Sequence, residues 1–377
     1  MAYGGVLGGV GLVDHHCHSV VNVAPDRGRF ELLTTEADRP PPAGCSGFDS
    51  QLGFAIRRWC APVLGLHPHA SPEDYLAQRS RLGPGEVNRR LLAAAGVDVF
   101  LVDTGYRAGD LLGLAEMADA AGARAREVVR LEAVAEQVAL SGIGAEGFAE
   151  AYARALEVAS ADAVGLKTII AYRYGLDFAP ERPAAREVRE AAGHWLRRID
   201  TGTPPRLDDP VLLRHLLWTG LDRGLPLQFH VGFGDPDVSL DGCDPARMTG
   251  FLRAVQHRDV AIMLLHCYPF HRQAGYLAQV FPHVYLDVGL AVNHVGARAA
   301  AVIAESLELA PFHKVLYSSD AFGLPELHYL GAAMFRRAFD EVVGTWVGAG
   351  LWSATDAQRV ARMVGAGNAE RVYGLRS

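Results

Sequence analysis

The stretch GLVDHHCH, residues 11–18, runs from two apolar residues into three histidines. Leu12 and Val13 open a β-type run, 12–18, and side chains two apart on a strand share a face. His16 and His18 should therefore point the same way, as the strand counterpart of the i, i+4 histidine pair on a metalloprotease helix. His15 falls out of phase and is expected to point outward, in a packing or hydrogen-bonding role. Further along, Lys167 in VGLKTII, His230 in LQFHVG, His266 in MLLHCY and Asp320 in LYSSDA each stand at the end of an apolar run. Ligand-type residues at the C-terminal ends of successive strands describe the mouth of a (β/α)8 TIM barrel built around metal.

Eight aliphatic or β-branched runs support that architecture: 12–18, 97–103, 126–132, 163–169, 225–231, 260–267, 283–289 and 314–320. Most are continuously apolar, as parallel strands covered on both faces require. Helical segments such as 111–123 and 298–310 alternate with them, which argues for α/β over a sandwich. The expectation is a single domain over 1–377. Helical insertions follow strands 1 and 4, at about 19–96 and 171–224, and could roof the site. Ser71 with Pro72 reads as an N-cap followed by proline at the first helical position. Thr355 to Gln358 reads as a capping box for the last long helix.

Length and composition narrow the class. The 377 residues are half apolar, enough for a large core, and the net charge of −7 offers no basic footprint for nucleic acid. No apolar run approaches the roughly 20 residues of a membrane span, and the first residues lack a basic leader. Five cysteines without a Cys-x-x-Cys pair fit reduced thiols and a cytoplasmic location. Partners are expected to be a small-molecule substrate, with a homo-oligomer compatible and neither nucleic acid nor membrane involved.

The basic residues are skewed: of 36, only Lys167 and Lys314 are lysines. A lysine retained under such a bias marks a place where arginine cannot serve, because lysine can lose its proton and react. At a strand end, Lys167 could become a carbamate bridging two metals. Alternatively, it pairs inside the barrel with Asp103 or Glu132. Neutral imidazoles and one carboxylate suit Zn2+, with Mn2+ or Fe2+ as alternatives, as one or two ions. The metal ligands are thus His16, His18, Lys167, His230, His266 and Asp320. A divalent metal brings the pKa of its bound water down towards roughly 7, supplying hydroxide at neutral pH. Asp320 would be the general base and then acid, and His266 either catalytic or a ligand of a second ion.

Loop residues after the strands are candidates for substrate binding: Tyr172, Arg173, His271, Arg272, Asn293, His294, Glu326 and His328. Taken singly, each such residue is more often a loop ion pair or a helix cap. His67 and His69 share the His-x-His spacing but fall in a loop with Pro68 between them. Cys17 and Cys267 read as packing. The Gly-x-Gly of VGFGDPD is a turn after strand 5, since the full GxGxxG is absent.

The order His-x-His, Lys, His, His, Asp resembles the amidohydrolase superfamily. The segments HVGFGDPD, LLHCYPFHRQAGYLAQVFPHVYLDVGLA, LYSSDA, PELHYLGA and GNAERVYGL are similar to its amidohydrolase-2 branch. Within it they are most similar to the FluG-type, nodulin-like domains linked to glutamine synthetases. The resemblance implies a metal-dependent amidohydrolase (a C–N hydrolase) cleaving a small amino-acid-derived amide such as a γ-glutamyl or aminoacyl compound. It implies His16, His18, His230 and Asp320 as metal ligands, His266 as catalytic residue or second-metal ligand, and Lys167 as the carboxylatable position. His15, Thr104 and Gln273 depart from the branch's pattern of Asn, Asp and Glu. Two other readings keep the fold: a metal-dependent decarboxylase, and a non-catalytic metal-stabilised binding module.

Overall fold

The computed structural model describes residues 5–375. Seven strands form one parallel sheet in sequential order: β1 (Leu12–Cys17), β2 (Val97–Asp103), β3 (Arg124–Arg130), β4 (Gly165–Thr168), β5 (Leu227–Val231), β6 (Ile262–His266) and β7 (Val284–Leu286). Helices alternate with them, as the sequence pattern requires. Apolar side chains pack in two places. Val13, Val99, Leu101, Val128, Met263, Leu265 and Leu316 belong to one cluster with Tyr373 and Leu375. A larger cluster joins the alternate strand residues, such as Leu12, Cys17, Phe100 and Phe229, to the helices. Among the described residues no helix is long and apolar enough to cross a membrane.

The eighth run, 314–320, is not a regular strand. Its backbone still bridges β7 and β1: Leu316 N–H donates to Leu286 O (3.0 Å), His15 N–H to Tyr317 O (3.1 Å) and Asp320 N–H to His16 O (3.0 Å). Between these bonds, side chains replace the ladder. Asp14 accepts from both the Ser319 N–H (2.9 Å) and its hydroxyl (2.5 Å), and Asp287 accepts from Ser318 Oγ (2.7 Å). Asp320 itself has φ +48°. A ladder cannot run through a left-handed residue flanked by carboxylate-bonded serines.

β1 departs from simple alternation as well. Asp14 pairs with Phe100 and Cys17 with Val102, so three steps on β1 match two on β2. This bulge inserts one extra residue and reverses the pleat's phase. His15, expected to point outward, instead bonds to Tyr373 and Asp287 and is fully buried. His16 and His18 still share one face.

The connection between β1 and β2 carries helices Arg27–Leu32, Gln51–Ala55, Pro72–Leu82 and Pro84–Ala95. Ser71 Oγ caps the third by accepting from Asp74 N–H, with Pro72 at the first position. Helix Ala185–Asp200 lies in the connection after β4. Helix Ala354–Arg362 begins two residues before the expected capping box: Ser353, not Thr355, accepts from the third-position N–H, that of Asp356. Either hydroxyl can cap, and Ser353 holds the extended backbone that a cap requires.

Arg79 ties the first connection to the long helix Pro325–Gly348. Its guanidinium donates to Glu326 Oε1 (2.5 Å) and Oε2 (3.1 Å), and the Tyr75 hydroxyl donates to Oε1 (2.7 Å). Both charges are buried. Removing one partner strands the other in a low-dielectric interior, which costs about 3–5 kcal/mol. Glu326→Ala is therefore expected to lower unfolding free energy by about that amount in urea denaturation. The double variant Arg79→Met/Glu326→Leu should recover most of the loss; an unchanged urea midpoint for Glu326→Ala would contradict this account.

Candidate metal centre

The strand ends bring the six ligand-type residues into one buried group. His16 comes from β1 and His18 from the residue just after it, Lys167 from β4, His230 from β5, His266 from the last position of β6, and Asp320 from the closing segment. Asp320 lies at their centre: its Oδ1 is 3.2 Å from His16 Nε2 and 3.9 Å from His18 Nε2, and its Oδ2 is 3.4 Å from His266 Nδ1. The His230 and His266 rings are 4.8 Å apart, and the His16 ring is 5.5 Å from both His18 and His266. Ligand atoms of His16, His18 and Asp320 all fall within 4.8 Å of one another.

The outward ring nitrogens determine which nitrogen faces inward. His16 Nδ1 donates to Gln228 Oε1 (2.8 Å) and His18 Nδ1 donates to the Asp103 carbonyl (3.1 Å). Both histidines therefore present an Nε2 lone pair to the centre, and such partners orient metal-bound imidazoles. His230 Nε2 and His266 Nδ1 are buried without a hydrogen-bond partner. Both face the Asp320 group, where one or more cations would give them a partner. Burial pushes the pKa values of His16, His230 and His266 well below the imidazole norm and His18 to about 4. The four rings are neutral at pH 7, as ligands must be.

Burial also drives the Asp320 carboxyl upward, opposed by the charge of Lys167. Lys167 is brought down to about 8, again by burial, with Asp320 and Asp103 opposing. Its Nζ lies 3.4 Å from His16 Nε2. It forms no ion pair with Asp103 or Glu132. Arg130 takes Asp103 with two bonds (3.0 and 2.6 Å), and Glu132 accepts from Thr168 Oγ1 and Ile169 N–H. Glu132 also sits in the first turn of helix Leu131–Leu140, because β3 ends at Arg130.

Backbone conformation at the mouth is unusual. Among described residues, five non-glycines have positive φ, and three of them are His266 (+67°), Cys267 (+56°) and Asp320 (+48°). Such conformations cost on the order of 1–3 kcal/mol each and cluster at functional sites. Gly232 (φ +76°) follows β5, where an added Cβ would lie 2.2 Å from Tyr268 O, so the β5 turn can form only with glycine there.

The loop candidates separate. The Tyr172 ring packs 4.3 Å from the His230 ring, against the centre. His294 stands 3.6 Å from Glu36, which the β1–β2 connection supplies, and 5.3 Å from the Phe233 ring. Arg173 pairs with Glu136 (3.0 Å), Arg272 with Glu308 on the surface (3.0 Å), and His271 with Glu305 (2.7 Å). Glu326 is held by Arg79, and Asn293 donates to the Ser319 and Leu327 carbonyls. His328 is buried edge-on to Phe100, beside Asp14 and Cys17. That second trio offers a cation little, since Ser319 occupies both Asp14 oxygens and burial pushes the Cys17 thiol well up. The sequence reading missed Gln228, Asp287 and Tyr373. Gln228 carried a signal: it is polar within an apolar strand, two residues before His230 and thus on the same face.

An amidohydrolase family model of the amidohydrolase-2 type matches residues 170–375, more than half of the chain. The chain belongs to the amidohydrolase family. It is 33% identical over 246 residues to the protein FluG of Emericella nidulans, a match covering 61% of this chain and 28% of FluG. The chain thus spans under a third of that relative. A candidate metal-dependent hydrolase from Lactobacillus casei shares the fold at TM-score 0.85 and 29% identity, over 97% of this chain and 96% of the other. Uronate isomerase from Thermotoga maritima superposes at TM-score 0.63 and 14% identity, over 98% and 96%, a likeness of fold alone.

Gly234 leaves space at the centre. A Cβ there would lie 2.3 Å from the Tyr172 hydroxyl and 3.0 Å from His230 Nε2. Gly234→Ala is expected to displace one of them and weaken zinc binding by at least about tenfold in chelator competition, with the thermal midpoint nearly unchanged. Equal zinc affinity in the variant would remove Tyr172 and His230 from the metal's immediate surroundings.

Proposed function

We propose that this chain is a metal-dependent hydrolase that cleaves the C–N bond of a small amino-acid-derived amide, such as a γ-glutamyl or aminoacyl compound. The observation that carries the reading is the convergence of four neutral imidazoles, one carboxylate and one lysine on a buried centre that leaves His230 Nε2 and His266 Nδ1 without partners. Family membership and the likeness to the Lactobacillus casei protein support it.

His16, His18, His230 and Asp320 would hold a first divalent ion, Zn2+ by the chemistry of the donors. Lys167 and His266 would serve a second. Such an ion lowers the pKa of water and polarises a carbonyl. Asp320, within 3.4 Å of His16 and His266, accepts the attacking water's proton and returns it to the leaving amine. Tyr172 beside His230 and His294 beside Glu36 would orient the substrate.

Lys167 would act as a carbamate. Its neutral amine nitrogen bonds to the carbon of CO2 and releases one proton, turning a neutral amine into an anionic oxygen ligand. Only the free amine reacts. With the lysine at about 8, that fraction is small at pH 6 and grows as pH rises through the value. Added bicarbonate should therefore raise the amount of metal that apo-protein holds at equilibrium, more above pH ~8 than at pH ~6. Uptake indifferent to bicarbonate would leave Lys167 unmodified.

The deciding experiment is elemental analysis of protein prepared without chelator, followed by an assay of the zinc-loaded protein on a panel of γ-glutamyl and aminoacyl amides. Asp320→Asn should cut turnover by about 10²–10⁴-fold, the usual contribution of a positioned acid–base group, with the fold intact by circular dichroism. Undiminished turnover would take Asp320 out of the chemistry. Absence of bound metal even after reconstitution would overturn the hydrolase reading.

A further inference from the structure

Beneath the metal centre lies a continuous set of buried hydrogen bonds that the catalytic roles above do not use. Gln228 Nε2 donates to the Tyr373 hydroxyl (2.8 Å) and to the His15 carbonyl (2.8 Å). Its Oε1 accepts from His16 Nδ1 (2.8 Å). The Tyr373 hydroxyl lies 3.1 Å from His15 Nδ1, and His15 Nε2 lies 2.9 Å from Asp287 Oδ2. Asp287 Oδ1 accepts from the backbone N–H of His266 (3.0 Å), the Gly289 N–H (2.8 Å) and Ser318 Oγ (2.7 Å). His15, Gln228 and Asp287 are fully buried, and Tyr373 is 6% exposed.

With His15 as a neutral imidazole, the donors and acceptors admit one consistent arrangement. An amide nitrogen can only donate, so the Tyr373 oxygen accepts from Gln228 and its one proton must go to His15 Nδ1. His15 Nδ1 is then an acceptor and its Nε2 carries the proton, which the Asp287 carboxylate accepts. Burial works against that carboxylate's charge, but four donors including His15 outweigh it and bring it below its usual value. Because Gln228 uses its nitrogen on Tyr373 and the His15 carbonyl, its oxygen is the end turned to His16. His16 must then carry its proton on Nδ1 and keep Nε2 free. If the amide were reversed, it would offer a proton to His16 and reverse that ring's tautomer.

We propose that Tyr373 is a positioning residue for the metal centre: with the His15 carbonyl, which sets the amide's orientation, it holds Gln228 against His16, and through His15 and Asp287 it braces the backbone of His266. The geometry stands by itself, while its consequence for metal affinity rests on the reading of the centre given above. Tyr373 follows helix Asn368–Val372, far along the chain from the histidines of β1, yet a single hydroxyl joins both sides of the site. Interactions of this kind with metal ligands are worth about 10- to 100-fold in affinity.

Ring-nitrogen NMR of protein labelled with ¹⁵N-histidine tests this in the full chain, with and without zinc. The wild type should show His15 as the Nε2–H tautomer and, in the metal-free protein, His16 as Nδ1–H. Tyr373→Phe should shift the His15 signals, move the His16 ring-nitrogen signals as Gln228 loses one of its two anchors, and weaken zinc binding 10- to 100-fold in chelator competition. A variant with wild-type ring-nitrogen signals and zinc affinity would overturn the proposal, as would the opposite tautomers in the wild type. The wild-type signals decide alone should Tyr373→Phe fail to fold. The tautomers of the metal-free protein are read without zinc, so a chain that bound no metal would defeat the hydrolase reading and leave this test standing.

Discussion

A one-residue bulge in β1 is the constraint on which the centre depends. Val13 packs in the inner cluster and Leu12 against the helices, so strict alternation through 12–18 would keep His15 inward but send His16 and His18 to the helices, away from the centre. With the extra residue, His15 and His16 are adjacent in sequence and both turned into the barrel, one to each level. The lower histidine belongs to the hydrogen-bonded layer and the upper one to the ligand group. Asp14 and Cys17 are displaced to the other face, and there Asp14 bonds to Ser319 and holds the closing segment.

That closing segment shows how a barrel can end without a complete ladder. Backbone groups of 315–323 must still be satisfied, because burying an unpaired amide is costly. Asp14 and Asp287 meet part of that need from β1 and from the end of β7. Freed from a strand's geometry, Asp320 takes a left-handed conformation and brings its carboxylate within 3.4 Å of histidines from β1 and β6. Irregular backbone thus places the carboxylate at the middle of the candidate site.

The site is also electrostatically poised. Burial keeps four imidazoles neutral and lowers Lys167, while neighbouring acids are already committed: Asp103 to Arg130, Asp287 to His15, Glu326 to Arg79. Asp320 is the carboxylate left facing the ligand nitrogens. A cation entering such a group satisfies nitrogens that would otherwise remain unpaired in a dry interior.

Much of this was legible in the sequence, because two rules are local. Apolar runs separated by helical segments specify parallel strands, and seven of the eight appear within a few residues of where periodicity puts them. Strand ends carry function in such barrels, so His16, His18, Lys167, His230, His266 and Asp320 could be named from position and type. The inward turn of both His15 and His16 was hidden, because a bulge is set by pairing with β2 and leaves no mark in β1 itself. The true partners of Lys167, Arg173 and Glu326 were hidden as well, since ion pairs depend on which distant helices meet. Tyr373 belongs to the same class: nothing in GNAERVYGL announces a hydroxyl inside the barrel. The residues by themselves determined the strand order and the ligand types. The tertiary structure decided which nitrogen of each histidine is free, because a tautomer is chosen by the partner across the sheet.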